Sequence, residues 1–310
     1  MQELRVCPGE HFGPPQLPGL HASTGILRTV VRELLSVFIQ DFIFSPTDAV
    51  LPGNEKSPLL TLNEYIKVPA TVRGIAKMSG FESFAEDVWI IDGPPVRDSG
   101  VTFTTRMTVV KLSDGSLWVD SPVSLPFDML ERITGLGAVR YLIAATPRHV
   151  WRLDEWHTLF PGAELWVPRP TPFTLKKGSF PVTGILGDIP GSGWSDDIDQ
   201  CAFRGNPLIE EIFFFHKKSH TVILDDLIQV HPLVKGSPFR NALIRMAGVA
   251  EPHGGVPLDI RLSFINRNAA RKSLEKLLSW DFDRLIIAHG DCIGQDAKQF
   301  VEKAFHWLNR

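Results

Sequence analysis

Three side chains stand just past apolar runs, and their types suit metal chemistry. His149 follows the run 141–145 within ATPRHVWRLDEW, Asp226 follows 221–224 with Asp225 before it, and His289 follows the Leu-Ile-Ile-Ala run at 285–288. Two imidazoles and a carboxylate on one rim suit a divalent ion such as zinc, and also iron or manganese. Asp154, in the same segment as His149, adds a carboxylate able to act as ligand or general base. Polar residues also belong at strand ends because loops are wet, so any one of these residues alone is better explained as a loop residue. Cys292, close to His289, reads either as a thiol nucleophile or, more commonly for such a residue, as a small buried thiol.

The elements that would position these residues alternate between strand and helix. The run 285–288 has no wet side and reads as a strand buried on both faces, with Gly290 allowing a sharp turn. Strands are expected at 86–91, Val101–Lys111, Leu117–Asp120, 139–144, Glu164–Val167, 210–215 and Thr221–Leu224; Ser113-Asp114-Gly115 forms a turn. Helices are expected at 124–134, 153–160, 268–280 and 296–308, and residues 229–262 read as an irregular, partly helical insertion. The β-α-β-α-β order over 117–167 predicts neighbouring parallel strands. Residues 168–208 read as loop, with the acids at 196–199 solvated. Strand ends of this kind open into a shared crevice, which predicts that His149, Asp226 and His289 meet.

Composition sets the class. The chain has 310 residues, 44% hydrophobic and 22% charged, with a net charge of −3. This is ordinary globular composition, without the basic excess that nucleic acid or an anionic membrane requires. Three scattered cysteines exclude a thiolate zinc site and a disulfide scaffold. Cytoplasmic location is the expectation, since the first residues lack a signal-peptide pattern. Residues 1–83 read as an amino-terminal arm and helical extension, and 84–310 as the main domain. Within the extension, Ile26, Val30, Val31, Leu34, Leu35, Phe38, Ile39 and Phe42 form an apolar stripe over 26–43. Its polar face mixes charges, so it is expected to pack on protein, on the main domain or in a homodimer, and not on lipid.

The segments TFTTRMTVVKLSDGSLWVDSPVSL, EEIFFFHKKSHTVILDDLI and WDFDRLIIAHGD resemble the metallo-β-lactamase (MBL) fold hydrolases, and more narrowly their DUF4336 branch, over roughly 84–310. The resemblance implies a layered αββα sandwich of mixed sheets, with the amino-terminal helical extension added to it. It places His149 at the first histidine of the superfamily's HxHxDH run, with the second falling on Trp151, the aspartate on Leu153 and the last histidine on Asp154. Asp226 matches the metal-bridging aspartate and His289 the terminal histidine. The histidine expected before 210–215 falls near Gly205-Asn206 and is missing, while His216 and His220 lie in the wrong part of the hairpin. What survives implies at most one metal, held by His149, Asp154, Asp226 and His289, with Asp154 and Asp226 as the catalytic carboxylates.

The expected function is therefore a metallo-hydrolase-like protein with an incomplete, at most mononuclear site and an unknown small-molecule substrate. Its rival is a catalytically silent domain binding a partner or small molecule through the same rim, with Trp151, Trp156 and Trp194 either lining that pocket or packed in the core. An iron-using oxidoreductase is a third class. If the 26–43 stripe packs on protein, the purified chain stays off liposomes in a flotation assay; robust membrane binding overturns that assignment.

Overall fold

Alternation along the strands sorts the apolar side chains into three separate layers. The structure, a computed structural model, describes residues 80–98, 101–169 and 181–309. These residues belong almost entirely to one of two compact units, Pro52–Asp98 with Thr102–Arg310. The expected arm and the 26–43 helix lie outside the described residues.

A seven-stranded sheet runs in chain order through β1 (Glu82–Ala85), β2 (Val88–Asp98), β3 (Val101–Lys111), β4 (Leu117–Asp120), β5 (Val139–Ile143), β6 (Glu164–Val167) and β7 (Gly184–Ile185). β3 and β4 are antiparallel across the Ser113–Gly115 turn, and β4, β5, β6 and β7 are parallel. A four-stranded sheet holds β8 (Ile198–Phe203), β9 (Glu211–His216), β10 (Thr221–Leu224) and β11 (Arg284–Ile287) in the order β11-β10-β9-β8. Only β10 and β11 are parallel in it. The helices among the described residues are α1 (Phe127–Thr134), α2 (Leu153–Leu159), α3 (Pro238–Ala247), α4 (Leu258–Ser263), α5 (Arg267–Leu278) and α6 (Ala297–Ala304).

Successive strand residues face opposite sides, and here each side has a helix layer or the other sheet to cover it. Leu117 and Val119 pack with Leu130, Ile133, Leu153 and Trp156 of α1 and α2. Trp118 between them joins Tyr141, Ile143, Phe214, Ile223 and Ile286 in the layer between the sheets. On the other sheet, Phe213, Val222, Leu285 and Ile287 turn to Leu274, Leu277, Val301 and Phe305 of the outer helical side. This is an αββα sandwich, and it explains why 285–288 shows no polar alternation: both faces of β11 are covered.

Two expectations are corrected. Of the acids at 196–199, Asp196 and Asp197 do lie in a turn, with Asp196 exposed, but Asp199 belongs to β8 (Ile198–Phe203) and accepts from the Trp280 indole at 2.9 Å. Edge pairing with β9 recruited a segment whose sequence alternates too little to read as a strand. The first helix begins at Phe127, after Pro126, while Ser124 instead bonds Glu155.

Trp118 and Phe214 meet edge-on across the sandwich, with ring centroids 4.8 Å apart and both rings fully buried. Replacing Phe214 by Ala is expected to cost about 3–5 kcal/mol in denaturant unfolding. A loss under about 1 kcal/mol would show that the two sheets do not depend on this contact.

Candidate metal centre

Each of the three residues is delivered by the end of a strand, but from two sheets. His149 lies in the loop after β5, which belongs to the larger sheet. Asp226 and His289 follow β10 and β11, neighbours in the smaller one. The sheets are joined at this end by a backbone bond from Ile212 N to Ala145 O, 2.9 Å. The rim anticipated from one sheet is thus shared by two.

The three side chains converge. One donor atom from each of His149, Asp226 and His289 lies within 4.8 Å of the others. His149 Nε2 is 3.3 Å and His289 Nε2 is 3.2 Å from the same oxygen, Asp226 Oδ1. The rings are T-shaped to one another with centroids 5.6 Å apart. Both Asp226 and His289 are buried.

The opposite nitrogens decide what Nε2 can offer. His289 Nδ1 is 2.9 Å from the backbone carbonyl of Thr104, which can only accept, so Nδ1 carries the hydrogen. His149 Nδ1 is 2.9 Å from Asp225 Oδ2, an oxygen that also accepts from the Ser121 hydroxyl. That ring too is held with its proton on Nδ1. Both Nε2 atoms therefore turn a lone pair, in their neutral forms, towards an anionic oxygen. Only a proton or a metal cation makes that arrangement favourable.

Further groups hold Asp226 in place. Thr146 Oγ1 donates to Asp226 Oδ2 at 2.7 Å. Glu211, at the start of β9, accepts from the backbone N–H groups of Asp225, Asp226 and Leu227. These residues were not anticipated as site residues; Asp225 and Ser121 carried the only signal, being polar neighbours of strand ends. Ser121 has φ +53°, a left-handed conformation a serine rarely takes, which turns its hydroxyl inward.

The charges sort by environment. Burial disfavours a charged His149, yet Asp225 and Asp226 outweigh it and raise its pKa well above the usual histidine value. Burial also opposes ionisation of Asp226, but His149 and then His289 reverse this and hold it well below the carboxylate range. Asp120 and Glu211 go the other way: burial first, then repulsion by Asp225 and Asp226 respectively, pushes both well up. Asp120 is fully buried at the end of β4. These environments favour a cationic His149 and an anionic Asp226 and disfavour ionisation of Asp120 and Glu211. The raised His149 pKa stabilises the fold below pH 6.5, and this is lost as pH rises through its folded value. The depressed Asp226 pKa stabilises it above pH 3.8, and this is lost as pH falls through its folded value.

Other anticipated residues lie elsewhere. Asp154 is in the first turn of α2, its Oδ1 accepting from Glu155 N at 2.9 Å, and it is not one of the three converging donors. His216 and His220 occupy the far end of the β9–β10 hairpin, bonded to Ser219 and Asp281. Burial first pushes the Cys292 thiol up, against the attraction of Arg106, so its sulfur is a poor nucleophile. Trp156 and Trp194 are buried, with indoles donating to Val123 O and Gln200, while Trp151 is exposed.

Residues 86–235 match the family model described as Domain of unknown function (DUF4336). Among solved structures, a putative diflavin flavoprotein A 5 fragment (1–254) from Nostoc sp. PCC 7120 is 10% identical with a TM-score of 0.52, covering 74% of this chain and 95% of that one. The chain has a metallo-β-lactamase fold. DIM-1 metallo-beta-lactamase gives 14% identity and TM-score 0.50, covering 74% of this chain and 97% of that one. The metal-soaked Flv1 flavodiiron core from Synechocystis sp. PCC6803 gives 11% and 0.51, covering 74% and 60%. No curated protein matches the sequence.

If Asp225 orients the His149 ring, Asp225→Asn is expected to weaken zinc binding about 10–100-fold in a chelator competition, as loss of an outer carboxylate does elsewhere. Unchanged affinity would show that His149 is held without it.

Proposed function

We propose that this protein is a metallo-hydrolase-like domain holding one divalent metal on His149 Nε2, Asp226 Oδ1 and His289 Nε2. The observation that carries the reading is the shared oxygen: two imidazoles with their protons on Nδ1 face a single aspartate oxygen, at 3.3 and 3.2 Å. Three protein donors leave room for substrate in the manner of catalytic sites. A bound ion there supplies Lewis acidity, polarising a carbonyl or phosphoryl oxygen and making water more acidic. The chain's own groups then do the rest. Asp226, charged and held by Thr146, orients the ion's environment, and the raised pKa values of Asp120 and Glu211 disfavour further negative charge near it. Asp154, in the first turn of α2, is the carboxylate nearest in sequence to His149 and takes the role of base in this proposal. The substrate is a small molecule, and the setting a cytoplasmic one; a homodimer through residues 26–43 belongs to the same proposal.

The same cluster supports a second reading. Its hydrogen bonds close on themselves, with a proton on His149 taking the place a metal would occupy, so the fold can persist as a silent binding domain. Elemental analysis of protein purified without added metal separates the two. Stoichiometric zinc, iron or manganese that is lost in Asp226→Ala protein that still folds supports the first; none under saturating metal supports the second.

Metal must displace the proton from His149, whose pKa is raised by Asp225 and Asp226. Affinity is therefore expected to rise with pH up to that raised value, with about one proton released per ion. Calorimetry in two buffers of different ionisation enthalpy reads this directly. A binding constant flat in pH contradicts the proton–metal exchange.

A further inference from the structure

Arg106 lies on β3 two residues from Thr104, whose carbonyl holds the His289 ring. Residues so spaced in a strand share a face, and here both reach the loop that leaves β11 in the other sheet. That loop is closed on itself by paired backbone bonds between Leu285 and Ile293, at 2.9 and 2.8 Å. Within the closure its acceptors turn towards one cation. Arg106 Nη1 donates to Ile287 O at 2.8 Å and Gly290 O at 2.5 Å, and lies 3.1 Å from Cys292 Sγ. Its Nε donates to Asp92 Oδ1 on β2 at 2.8 Å. The side chain is 11% exposed. A guanidinium taken this far out of water is tolerable because its donors meet a carboxylate and a ring of acceptors.

The loop is blocked on its other side. Val230 N donates to His289 O at 3.0 Å. Gly290 has φ +116°, and a Cβ there would lie 1.8 Å from Val230 O. His289 is thus caught between β3 and the segment after β10, with Arg106 supplying most of the bonds on the β3 side.

We propose that Arg106 is a positioning residue for His289. By binding the carbonyls on either side of it, at 287 and 290, Arg106 sets the depth at which Nδ1 meets Thr104 O and Nε2 faces Asp226. The effect on the ring stands by itself; the effect on metal affinity rests on the reading of His289 as a ligand.

The test uses the full chain and nitrogen-15 imidazole spectra without metal, followed by zinc titration against a chelator. In the wild type, His289 shows a slowly exchanging Nδ1–H. In Arg106→Met that protection is lost and the tautomers average, while the His216 signal, bonded to Ser219 Oγ 2.7 Å away at the far end of the sheet, is unchanged. Zinc affinity falls about 10–100-fold, the scale for losing a group that orients a ligand. Arg106→Lys keeps the charge but cannot span Asp92 and the loop acceptors together, so it gives an intermediate His289 signal and partial recovery of affinity. A wild-type His289 spectrum in folded R106M overturns the proposal. If R106M does not fold, R106K carries the test, and a His289 signal identical to the wild type overturns it. Wild-type protein that takes no zinc, together with a freed His289 ring in R106M, removes the metal reading and leaves the positioning role standing.

Discussion

Asp226 Oδ1 lies out of water with two imidazole nitrogens facing it, and neither ring is at liberty to turn. Each Nδ1 is tied by an acceptor, Thr104 O for His289 and Asp225 Oδ2 for His149, so each Nε2 must present itself to the aspartate. The arrangement is favourable only with a positive charge at its centre. A proton on His149 meets that condition in the bare protein, and a divalent cation would meet it better. Most of the surrounding structure is arranged to keep the three groups from relaxing away from one another.

Keeping them there requires burial, and burial of so many ionisable groups requires that some be neutral. Asp120 and Glu211 are pushed in that direction, their pKa values raised by desolvation and by the neighbouring aspartates. Glu211 also gathers the backbone N–H groups at 225–227. The turn after β10 is therefore held by a side chain from β9, and Asp226 cannot swing outward without breaking those bonds. The supports of the site come from both sheets and from the turn after β10.

The fold is shared with metallo-β-lactamase fold structures at about one residue in ten, yet the donor set is sparse. Trp151 and Leu153 stand where the resemblance would put further ligands, and among the described residues one group of three donors converges. Physical consequences follow from this. A three-donor site with a carboxylate is less selective for zinc than one rich in imidazole. It also depends more heavily on the groups behind the ligands, because each remaining ligand carries a larger share of the binding.

Local pattern determined the strands and their ends. The unalternating run at 285–288, the Asp-Gly turn before β4 and the β-α-β-α-β order are properties of short segments, so His149, Asp226 and His289 were legible as strand-end residues that should meet. The resemblance then supplied the sandwich. Tertiary structure decided what spacing cannot encode. Asp154, near His149 in the chain, is turned into the first turn of α2 by helical geometry, whereas Asp225, next to Asp226, is carried to the far side of the His149 ring. Asp120 and Ser121 at the end of β4, Glu211 on β9 and Arg106 on β3 come together from three strands, and each looks ordinary in its own segment. Their roles arise from desolvation and from charges brought together by two sheets closing, and neither exists until the chain has folded.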